Sequence, residues 1–121
     1  MKKDEKYVLL HKNYANREKS VTLFSYDFED DGNLILSVEY STQYSNGEGQ
    51  HGSAMANLCD VLDAYNYGSL KELADDLKSR YEKDDKAWEK ISAELKNKGL
   101  EVWDDETESC DNENGFYVTD L

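Results

Sequence analysis

Ten consecutive residues, Asp104-Asp105-Glu106-Thr107-Glu108-Ser109-Cys110-Asp111-Asn112-Glu113, hold six carboxylates and no basic group. Like charges this close repel one another, so the run costs stability unless it attracts something outside itself. Its chemistry is electrostatic. Such a surface can imitate a phosphate backbone or fit the basic cleft of a partner protein. A solvated acidic loop over 104–115 accounts for the same residues. Trp103 before the run and Phe116-Tyr117 after it could supply apolar anchors, because aromatic groups beside charge are common in binding hot spots. They would also suit a core.

A second acidic run carries Asp27, Glu29, Asp30 and Asp31. With Glu48 and the tyrosines Tyr40, Tyr44, Tyr65 and Tyr67 it could form another acidic and aromatic face. The stretch Asp27 to Ile35 has the carboxylate spacing and the glycine of the front of an EF-hand loop. Val38 stands where the bidentate Glu belongs, and the flanks read as strands, so a hairpin turn explains these residues better than a calcium site. Gly47-Glu48-Gly49-Gln50-His51-Gly52 matches G-x-G-x-x-G between a strand and a helix. It follows its strand too distantly for a phosphate-binding turn, has no βαβ unit around it, and bears an acidic residue where pyrophosphate would sit. It reads as a connection before a capped helix. Cys59, Cys110, His11 and His51 lie at wide, irregular spacing that fits neither a zinc site nor a cysteine–histidine nucleophile. No catalytic residue, metal ligand or cofactor is assigned.

The elements that must position these groups are legible in the hydrophobic spacing. Leu70, Leu73, Ala74, Leu77 and Tyr81 fall on one helical face, and Ser69 with Glu72 forms a capping-box pattern at its start. A second helix begins near Asp84 or Asp85, buries Ala87, Trp88, Ile91 and Leu95, and ends at Gly99. Together they predict a helical hairpin. Tyr7 to His11, Val21 to Phe28 and Leu34 to Thr42 read as three strands. The alternation places Val21 and Leu23 opposite Thr22, Phe24 and Tyr26, and Leu34, Leu36, Val38 and Tyr40 opposite Ile35, Ser37, Glu39 and Ser41. Asp30-Asp31-Gly32-Asn33 joins the last two as a hairpin turn. Gln43 to Gly52 is expected to be a polar loop. A helix from Ser53 to Tyr65 would bury Ala54, Met55, Leu58, Val61, Leu62 and Tyr65, with Cys59 as a small core residue. Leu100 to Trp103 and Phe116 to Thr119 complete the strands. The expected fold is α+β, a single domain over 1–121, with about five short antiparallel strands and three helices on one face in the order βββ-ααα-ββ. The last strands must return to pair with the first ones.

The chain has 121 residues and a formal net charge of −13. Its charge is unevenly spread. Residues 69–98 carry eight basic and eight acidic groups, interleaved as on solvated helix faces. Residues 27–68 and 99–121 carry eight acidic groups each and no Lys or Arg. Direct binding to nucleic acid or to an anionic membrane is disfavoured, whereas a basic protein would be attracted. Acidity that only aids solubility remains open. The N-terminus lacks the apolar segment of a signal peptide and two cysteines suit a reducing compartment, so a cytoplasmic protein of a bacterial or phage-infected cell is expected.

In size and charge the chain resembles small acidic phage and plasmid inhibitors of host defence, the DNA-mimicking anti-CRISPR and anti-restriction proteins. That resemblance implies a non-enzymatic inhibitor that occludes the basic site of a nucleic-acid-binding enzyme. The expected contacts are Trp103, Asp104, Asp105, Glu106, Glu108, Asp111 and Glu113, with Asp27, Glu29, Asp30 and Asp31 as a second group. Two alternatives stand beside it. One is an immunity protein or antitoxin that neutralises a basic nuclease toxin. The other is a small enzyme that uses carboxylates, alone or with a divalent metal, which would need them to converge in a concave pocket.

Overall fold

The architecture follows from where the alternating strands can bury their apolar faces. A computed structural model of the chain describes residues 3–15, 17–27, 32–44, 48–111 and 117–120. The strands are β1 (Lys6–Tyr14), β2 (Arg17–Asp27), β3 (Leu34–Tyr44), β4 (Glu48–Asn57), β5 (Trp103–Asp111) and β6 (Tyr117–Asp120). They form one sheet in sequence order, and every neighbouring pair is antiparallel. The helices α1 (Leu58–Tyr65), α2 (Leu70–Tyr81) and α3 (Ala87–Asn97) are inserted between β4 and β5. The α+β expectation holds, with six strands rather than about five.

All three helices pack on one face of the sheet. Val21, Leu23, Leu36, Val38 and Ala54 point toward them and are completely buried. They meet Leu58 and Val61 of α1, Leu70, Leu73 and Leu77 of α2, and Ile91 and Leu95 of α3 in one core. Burying each such side chain contributes about 1.5–3 kcal/mol. The alternation read from β2 and β3 is the alternation observed, and the two strands pair antiparallel, while Asp30 and Asp31 of the expected turn lie outside the described residues.

Three expectations are corrected. The segment 48–57 is a strand, so the polar loop and the early start of a helix at Ser53 both give way. Ala54 and Ala56 have helical propensity, but pairing with Val38 and Leu36 buries them in the middle of the sheet, and tertiary pairing outweighs propensity. The first helix starts only at Leu58, where the Asn57 side chain accepts a hydrogen bond from the Asp60 amide at 3.2 Å. Cys59 is exposed on that shorter helix rather than part of the core. The acidic segment is strand β5, paired with β4 from Met55↔Trp103 to Glu48↔Cys110, and no loop begins at Asp104. The returning strands therefore do not pair with the first ones: β5 docks on β4, and β6 docks on β5.

The helical hairpin forms as its caps predict. The Ser69 hydroxyl accepts from the Glu72 amide at 3.2 Å, while the Glu72 carboxylate accepts from the Gly68 amide at 2.8 Å, one residue before the position a strict capping box uses. The second helix starts at Ala87, slightly later than expected. Asp84 holds the preceding turn by accepting from the Lys86 amide at 2.9 Å. Gly99, at φ +81°, ends α3 in the left-handed region, and the Leu100 amide returns to the Leu95 carbonyl at 3.4 Å.

One polar cluster ties the three helices together. Arg80 of α2 grips both oxygens of Glu94 on α3 at 2.8 Å, Tyr81 donates to one oxygen at 2.6 Å and Tyr65 of α1 to the other at 2.7 Å. Burial pushes the Glu94 carboxyl up, but the bonds from Arg80, Tyr81 and Tyr65 outweigh it and bring the pKa down to about 2. A carboxylate held below its ordinary value of 4.5 stabilises the fold above pH 4.5, and that contribution drains away as the pH falls through about 2. Glu94→Gln is expected to lower stability at neutral pH by about 1–2 kcal/mol, a range reduced for the solvent-exposed side of the pair. The variant should also show a flatter loss of stability between pH 4.5 and 2, which urea melts over that range would measure.

Candidate functional site

Trp103 opens β5, paired with Met55, and is 49 % exposed. It is therefore an available aromatic rather than a core residue. Asp104 follows. Lys96 of α3 bonds its carboxylate and holds its pKa below the ordinary carboxylate value, and the Ser92 hydroxyl donates to it at 3.4 Å. This member of the expected contact set thus fastens β5 to α3. Asp105, Glu106 and Glu108 pair with Ser53, Gly52 and Gln50, and Asp111 pairs with Tyr117 of β6. Glu113 lies outside the described residues.

The second acidic group is separate from the first. Asp27 closes β2, three strands from β5 and thus about 14 Å away across the sheet. It forms an ion pair with Lys3 at 2.9 Å. Glu29, Asp30 and Asp31, and with them most of the EF-hand-like stretch, lie outside the described residues. The tyrosines do not form the single face that was expected. Tyr65 and Tyr67 stack at the end of α1 with centroids 6.1 Å apart, whereas Tyr40 packs on Trp88 of α3 at 4.8 Å. The described part of the glycine-rich stretch, 48–52, runs as strand β4 rather than as a connection.

The face of the sheet opposite the helices carries features that the expected site list missed. Two rows cross it. One runs Thr22–Glu39–Ser53 and the next runs Ser20–Ser41–His51. Their short side chains leave a cup of about 370 Å³, with Lys6 of β1 on its margin. Among the described residues that line it, Glu39 is the one carboxylate. Partial burial in the cup raises the Glu39 pKa above the ordinary value, and nearby Lys6 and His51 oppose that rise. Beside the cup, a third row runs Phe24–Ser37–Met55–Trp103. Phe24 stacks on Tyr26 at 5.5 Å. The polar outward parity of Ser37, Glu39 and Ser41 was readable in the sequence. The other half of the cup was not, because the glycines and alanines of β4 carry the local signals of loop and helix.

Among the described residues that line the cup, no second carboxylate stands with Glu39, as a carboxylate-dependent hydrolase would require. Among the described residues, no group of three His, Cys, Asp or Glu side chains is spaced to hold a metal ion. Among the same residues no helix is long and apolar enough to cross a membrane. No protein-family model, curated protein or solved structure matches the chain.

Proposed function

We propose that this protein is a non-enzymatic acidic inhibitor that occludes the basic, nucleic-acid-binding site of a partner enzyme with strand β5. The observation that carries the reading is the half-exposed Trp103 at the head of a strand with carboxylates at 104, 105, 106, 108 and 111. The segment 99–121 adds no Lys or Arg to offset them. A strand advances about 3.4 Å per residue and turns successive side chains to opposite faces, so groups on one face recur about 6.8 Å apart. A strand holds its charges at such regular intervals, as a freely moving loop would not. Trp103 supplies the apolar anchor, and the surrounding charge speeds encounter with a basic surface. The reading implies a cytoplasmic setting in a bacterial or phage-infected cell. The partner's identity decides between an inhibitor of host defence and an immunity protein or antitoxin against a nuclease toxin.

The test keeps the Asp104–Lys96 tie intact. A variant with Asp105→Lys, Glu106→Lys and Glu108→Lys, and a second with Trp103→Ala, are compared with the parent chain in pull-downs from host lysate at low and moderate salt. The parent is expected to retain a basic nucleic-acid enzyme or nuclease, less strongly as salt rises, and to inhibit it when both are purified. The triple variant is expected to lose that binding while its circular dichroism is unchanged. Undiminished binding by the folded triple variant would remove β5 as the contact surface.

A further inference from the structure

We propose that the cup on the helix-free face of the sheet binds a small, uncharged, polyhydroxylated ligand of about monosaccharide size. This goes beyond the inhibitor reading and does not depend on it, because the cup is built by β1 to β4.

The argument begins with what the strand register places together. Thr22, Glu39 and Ser53 are direct neighbours in one row, and Ser20, Ser41 and His51 in the adjacent row. Four of these six side chains are hydroxyls, and each can donate one hydrogen bond and accept others. Glu39 contributes acceptors, and Lys6 and His51 contribute donors. Such a lining matches a ligand whose own groups both donate and accept at several points. Among the described residues that line the cup, Glu39 and Lys6 carry opposite formal charges, which favours a ligand without a net charge. Its volume of about 370 Å³ lies within the range usual for small-molecule sites.

The neighbouring row strengthens the match. It brings Phe24 and Met55 alongside the hydroxyls. A sugar has polar edges and an apolar C–H face, and it meets both kinds of surface in a site of this composition.

The test is a set of amide-resolved NMR titrations of the full chain with glucose, ribose, N-acetylglucosamine and myo-inositol, each added separately. At least one is expected to give saturable shifts confined to residues 20–22, 39–41 and 51–53. Glu39→Gln is expected to weaken that ligand about tenfold or more, since it replaces a charge-assisted hydrogen bond. Thr22→Val, which removes a hydroxyl at nearly constant shape, is expected to weaken it as well. Glu89→Gln, on α3 outside the cup, should leave it unchanged. The proposal is overturned if none of the four ligands gives saturable shifts at the cup. It is also overturned if glycine or another zwitterion saturates the site where the four do not, or if both cup variants bind as the parent does.

Discussion

Gly52→Val is expected to lower the stability of this protein by about 2–3 kcal/mol, the upper part of the range for overpacking a tight interior. Gly52 pairs directly with Tyr40 across β3 and β4. A Cβ at Gly52 would stand 2.2 Å from Tyr40 Cε1, 2.6 Å from its Cδ1 and 3.0 Å from Trp88 Cζ2. The first two separations are too short for carbon atoms and the third is tight, so a ring has to move. The Tyr40 ring is not free to swing away, because Trp88 packs on it at 4.8 Å. Trp88 is itself anchored through its indole N–H, which donates to the Val38 carbonyl at 3.1 Å. The glycine is therefore the space into which an aromatic ring folds, an arrangement also used to cover glycines in designed sheets. Urea denaturation of Gly52→Ala and Gly52→Val would measure the effect. A change below about 0.5 kcal/mol in both would show that the pair yields easily, as surface positions do.

Trp88→Ala is expected to cost about 3 kcal/mol, near the lower end for truncating a buried aromatic because the indole is only half-buried. The loss has two sources. The contact with Tyr40 disappears, and α3 loses its hydrogen bond to β3. The two substitutions should also be coupled. With the indole gone, Tyr40 has somewhere to go, and Gly52→Ala should then cost at least about 0.5 kcal/mol less than in the parent chain. A double-mutant cycle by urea denaturation measures this directly. Additive costs would mean that Tyr40 is confined by something other than Trp88.

This aromatic clamp also bears on the proposed functions. Gly52 and Ser53 belong to β4, which carries half of the cup on one side of the sheet and pairs with Glu106 and Asp105 of β5 on its other edge. The clamp fixes the strand from the helix side. A loosened β4 would disturb both candidate surfaces at once. For that reason the tests of those surfaces substitute none of Tyr40, Gly52 and Trp88.

Local patterns of the sequence determined a great deal. The period of two in Val21 to Tyr26 and Leu34 to Tyr40 fixed which side of each strand is buried, since a one-residue slip would expose Leu23, Leu36 and Val38 together. Helical spacing and end chemistry defined α2 and α3, because Ser69 and Gly99 act on backbone groups within a turn of themselves. Composition alone located the acidic segment and its flanking Trp103. Tertiary structure decided the rest. Segment 48–57 has glycines that break regular structure and alanines that favour helix, and it is a strand because β3 and β5 satisfy its backbone on both sides. Its small residues are needed where Tyr40 and Trp88 close over it, a requirement that no local pattern reveals. The acidic run likewise became a strand by pairing with β4, at 103–111 rather than as a loop after a strand at 100–103. The cup containing Glu39 and His51 exists only once β4 pairs with β3. Its residues are far apart in the chain, and register alone brings them side by side.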